Sequence, residues 1–243
     1  MTLLALCIAV ALGAVHLLIG RVVTLEFEPR SRWLSAAGGV TVAFVFIYLL
    51  PELAHFREVL AAHRELAVVD EMSYAVALVG VLVFYALEHL AYRERRPDEG
   101  VDPEEPPFGH DYVFWVHIGW YALYNVIIGV LLSYGEQETV VGLVAYGVAM
   151  GVHLSVIDAA MRSHHQHVYR MTGRWVLAGA IVVGWVVGAF VAISAAAMAI
   201  VTAFLIGAML IVAIKDELPS GRQTQTVPFI AGAAVATALL WLF

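Results

Sequence analysis

The residues able to do chemistry sit inside apolar surroundings. One run carries His117, Tyr121, Tyr124 and Asn125, and the next carries His153, Ser155 and Asp158. Measured from His117, the first set falls at offsets of four, seven and eight residues, which places all of them on one face of a helix. Imidazole, amide, phenol and carboxylate groups can together hold a borderline divalent ion, or offer hydrogen bonds to a polar solute. A polar group inside a bilayer is costly, which makes each a functional candidate. Asp158 also has Arg162 four residues on, the spacing of an ion pair within one helix. His16 stands alone in an apolar run and reads as an inter-helix hydrogen bond.

The elements that must position these groups are membrane helices. Hydrophobic residues make up 62% of the 243 and charged residues 14%, a balance foreign to a soluble domain. A hydrocarbon core takes roughly 20 apolar residues per helix. Eight such runs are expected: Thr2 to Gly20, Trp33 to Ala54, Met72 to Tyr92, Tyr112 to Gly135, Thr139 to Met161, two within Trp175 to Ile214, and Thr226 to Phe243. The Trp175–Ile214 run has no charged residue and is about twice as long as one crossing requires, so it must turn, near Ile193 to Ala196. The whole chain, 1–243, reads as a single all-α transmembrane domain. An acidic loop at about 94–111 follows the third span.

Basic residues set the orientation. Arg21, Arg30, Arg32, Arg93, Arg95, Arg96, Arg162, Arg170, Arg174, Lys215 and Arg222 follow the odd-numbered spans, whereas only Arg57 and Arg64 lie on the other side. The first group is expected in the cytoplasm, with both termini extracytoplasmic in a prokaryotic inner membrane. The single cysteine, Cys7, excludes an internal disulfide. Gly147-xxx-Gly151 and Gly184-xxx-Gly188 read as small residues that let helices approach. Leu-Pro51-Glu52 and Leu-Pro219, near the ends of the second and seventh spans, look like repeats of one feature. A second loop, after the fifth span, clusters His164, His165 and His167, either a weak cytoplasmic metal site or a polar surface.

Tyr124-Asn-Val-Ile-Ile-Gly129 and His153-Leu-Ser-Val-Ile-Asp158 resemble the metal motifs of the Zrt/Irt-like (ZIP) transporters. That family typically carries His-Asn-x-x-Asp-Gly on its fourth helix and His-Glu-x-Pro-His-Glu on its fifth. Asn125, Gly129 and His153 match, and Asp158 takes the place of the last Glu. Tyr124, Ile128, Leu154, Val156 and Ile157 depart from the pattern. The resemblance implies eight helices in a 3+2+3 arrangement with inverted repeats, and alternating-access transport of a divalent transition metal such as zinc. Ile128 and Ile157 supply no charge and no lone pair, so at most one ion is expected in place of the family's pair.

Two placements for that ion follow. One uses His153 and Asn125 with Tyr124; the other pairs His117 with Asp158, which the helix rise puts at similar depth on adjacent spans. Tyr121 and Ser155 would line the pathway. The expected partners are the bilayer, a divalent ion and a second copy of the chain; no nucleic acid is expected. The other readings are a non-transporting sensor, regulator or structural protein, and a carrier of a non-metal solute. No nucleophile is paired with a base, so an enzyme is not expected.

Overall fold

Long apolar runs form helices here because the backbone's own donors and acceptors close on one another, which a bilayer requires. The computed structural model describes residues 2–22, 32–62, 71–94, 110–134, 139–164, 168–214 and 225–241. Every regular element among them is helical. The helices are α1 (Thr2–Val22), α2 (Arg32–Phe44), α3 (Leu50–Ala62), α4 (Met72–Glu94), α5 (His110–Tyr134), α6 (Val140–His164), α7 (Arg174–Phe190), α8 (Ala195–Val212) and α9 (Thr226–Leu240).

Among the described residues six helical rods are long and apolar enough to cross a membrane, while Met72–Leu87 and Thr226–Leu240 are shorter apolar stretches. Large apolar side chains such as Phe46, Val148, Phe190 and Val227 point outward, as a lipid-facing surface requires.

Two π-helical segments modify the expected spans. Val45–Leu49 joins α2 to α3 in one continuous rod, which runs past the expected end at Ala54 to Ala62. Pro51 has no N–H to give to the carbonyl four residues back, at Ile47, and Ile47 lies inside that widened turn. Tyr169–Gly173 leads directly into α7, so the sixth rod begins before the expected Trp175. The turn within the long uncharged run falls where Val191 is extended and Ser194 caps α8, its hydroxyl accepting the Ala197 N–H at 3.2 Å. The acidic loop at 94–111 and the second Leu-Pro, at Pro219, fall largely outside the described residues.

The rods pair through glycines. A side chain at Gly129 on α5 would overlap the Ile181 carbonyl on α7, and one at Gly184 on α7 would overlap the Val126 carbonyl on α5. The same reciprocity joins α2 to α9, through Gly39 and Gly232, and α4 to α8, through Gly80 and Gly207. Gly147 and Gly151 on α6 receive Ile8 and Leu12 of α1, and α1 also packs along α7. α1 thus packs against both α5 and α6, and the polar side chains lie along these contacts.

Candidate functional site

The stripe on α5 faces inward. His117, Tyr121, Tyr124 and Asn125 are all buried, as are His153, Ser155 and Asp158 on α6. Two small polar groupings result.

In the first, the Tyr124 hydroxyl and His153 Nε2 share a 2.8 Å hydrogen bond between α5 and α6. Phe84 packs edge-on against Tyr121 and Tyr124, which closes one side of the pair with aromatic rings. Two of the departures from the family pattern, Ile128 and Ile157, are buried in the apolar core.

The second grouping centres on Asp158. Its Oδ2 accepts the Arg162 Nε–H at 2.5 Å, its Oδ1 accepts the Tyr169 hydroxyl, and the same Oδ1 stands 3.7 Å from His16 Nδ1. Arg162 Nη2 also donates to the His16 main-chain carbonyl, at 3.3 Å, and its guanidinium lies over the Tyr169 ring. Asp158 and His16 have no exposed side-chain surface, while Arg162 keeps a fifth of its own. A buried carboxylate is tolerable in this setting because a cation and a hydroxyl answer its two oxygens.

Asn125 connects the groupings. Its Nδ2 donates to the Tyr121 carbonyl at 2.7 Å, and its Oδ1 lies 3.2 Å from His16 Nε2. With Nδ2 fixed as the donor, Oδ1 is the acceptor and His16 Nε2 carries the hydrogen. His16 is therefore the inter-helix hydrogen bond expected of it, and it is also the link from Asn125 to Asp158.

Asp158 faces His16 of α1, which packs against both α5 and α6, while His117 lies buried on α5. Ser155 gives its hydroxyl to the Val152 carbonyl at 2.6 Å, within its own helix. His165 and His167 lie outside the described residues, and His164 is placed only as the last residue of α6. Among the described residues no three His, Cys, Asp or Glu side chains gather as a metal site.

Sequence reasoning missed two participants. Tyr169 reads as part of a polar loop, and only the early start of the sixth rod brings it to Asp158. The other is a cavity of about 10 Å³, room for about one water, bordered by Tyr48, Glu52, Tyr146 and Thr202. It lies beyond the Tyr124–His153 pair, toward the end where α5 finishes and α6 begins. Thr202 Oγ1 is buried there without a hydrogen-bond partner among the described residues. A hydroxyl in the middle of an apolar run was the signal for it.

Comparison with protein-family models, with curated proteins and with solved structures finds no match.

Proposed function

We propose that this chain is a divergent ZIP-like carrier that moves one divalent, zinc-like ion at a time across a membrane by alternating access. In this reading all eight rods cross the bilayer, with both termini extracytoplasmic, and the ion passes the level of Tyr124, Asn125 and His153.

The observation that carries the reading is the pattern of helix pairing. Counted as spans, the third packs on the seventh and the eighth on the second; the fourth packs on the sixth and the fifth on the first. Exchanging first with sixth, second with seventh, third with eighth and fourth with fifth converts each member of these couples into the other. Two opposed triplets around a central pair have that symmetry, the construction of inverted-repeat carriers. The Leu50-Pro51 feature, with its π-helical turn in the second span, falls where such a carrier breaks a helix.

The donor set differs from the family's in a way that fits a passing cargo better than a resident ion. Tyr124 and His153 satisfy each other, and Asn125 is engaged on both sides, so an ion would have to exchange with these hydrogen bonds one at a time. The same mutual satisfaction favours a second reading, a non-transporting relative in which the polar groups only hold α1, α5 and α6 together. Zinc flux into liposomes containing the purified protein separates the two.

A further inference from the structure

We propose that His16 Nδ1 and Asp158 Oδ1 are the two protein ligands of a single zinc-like cation site, and that Arg162 is a built-in cation that holds this site when the ion is elsewhere. The identity of the ion as cargo rests on the carrier reading above; the binding site itself does not.

The argument starts from His16. Its Nε2–H is committed to Asn125, so Nδ1 is the ring nitrogen whose lone pair is open to a cation. That nitrogen is fully buried and has no hydrogen-bond partner among the described residues. It stands 3.7 Å from Asp158 Oδ1, longer than the roughly 2.7–3.2 Å of a hydrogen bond. Two acceptor atoms that close in a dry interior are unfavourable unless positive charge lies near them. An ion with bonds of about 2.0–2.2 Å to nitrogen and oxygen, at a tetrahedral angle, holds its ligand atoms roughly 3.4 Å apart. The observed gap is within a few tenths of an ångström of that separation.

Arg162 supplies the positive charge in the present arrangement. It grips Asp158 by the other carboxylate oxygen and reaches the His16 carbonyl, and so spans the same two helices as the proposed ion. While the guanidinium is there, Asp158 has no net charge left to offset the dehydration of a divalent ion. Arg162 lies two residues from the end of α6, and its side chain is already partly exposed, so the long stem can carry the head outward. Tyr169, whose hydroxyl donates to Asp158 Oδ1, orients the carboxylate from the start of the sixth rod. One imidazole and one carboxylate, with solvent completing the shell, suit zinc or cobalt rather than magnesium or calcium. Two protein ligands make a weak site, as a station on a path requires.

The test is titration of the full-length detergent-solubilised protein with Co²⁺, followed by the visible absorption of the bound ion, which zinc lacks. Arg162→Gln is expected to bind one Co²⁺ about ten-fold or more tighter than the unaltered protein, and adding His16→Ala is expected to remove that binding. Arg162→Lys, which keeps the charge, is expected to bind no tighter than the unaltered protein. Should Arg162→Gln fail to fold, the unaltered protein with and without His16→Ala carries the same comparison at higher Co²⁺. Equal binding with and without the His16 imidazole overturns the proposal, as does loss of Co²⁺ with His153→Ala but not with His16→Ala. Co²⁺ bound through His16 without zinc flux defeats the carrier reading and leaves the site standing. Zinc flux untouched by His16→Ala, with no Co²⁺ bound, does the reverse.

Discussion

Tyr124 on α5 and His153 on α6 meet through a 2.8 Å hydrogen bond, with both side chains buried. Tyr124→Phe keeps the ring and its packing against Phe84 and removes that bond. The expected cost is about 1–3 kcal/mol, the penalty for a buried polar group deprived of a partner. Thermal unfolding in detergent of Tyr124→Phe, His153→Ala and the double variant measures it. The double variant is expected to lose less than the sum of the two single losses.

Asp158 and Arg162 make an unequal pair, one fully buried and the other partly exposed. Arg162→Ala strands a carboxylate in the interior and is expected to cost about 3–5 kcal/mol, with Tyr169 offsetting part of it. Asp158→Asn combined with Arg162→Gln removes both charges and is expected to recover most of that loss. Unfolding midpoints of the two variants decide the matter; equal midpoints would mean that the charge on Asp158 is not what Arg162 answers.

Much of the architecture is written in the residue order. Long apolar runs identify the rods, because a bilayer leaves the chain few alternatives. The rod ends are harder to read. Charged residues from Glu52 to Glu58 look like the end of a span, yet α3 carries them on to Ala62, since helix geometry does not stop where the apolar run does. The turn at Ser194 has no Gly or Pro and is specified by a cap alone. At the site, the inward face of α5 and the Asp158–Arg162 pair follow from spacing, whereas the approach of His16 to Asp158 does not. Depth along two helices singles out His117, but a third helix, α1, brings His16 there first, and pairwise rise arguments contain no information about a third helix.

The glycine contacts predict opposite outcomes for similar changes. Gly207→Leu drives a side chain into the Ala77 backbone and is expected to abolish the α4–α8 pairing, seen as loss of folded, monodisperse protein. Gly119 and Gly179 have open space around them, so alanine there is expected to stabilise the helix by about 0.5–1 kcal/mol. Expression level and unfolding temperature distinguish the two classes.

The cap of α8 gives a smaller effect. Ser194→Ala removes the acceptor for the Ala197 N–H and is expected to cost about 1 kcal/mol, while Ser194→Asp is expected to preserve stability. Thermal unfolding of the two variants in one detergent compares them directly.

Zinc uptake by liposomes containing the purified protein tests the central claim most directly. The account predicts saturable uptake above protein-free liposomes, reduced about ten-fold or more by His153→Ala. Uptake equal to that of protein-free liposomes, under conditions where the protein is folded and inserted, would contradict it.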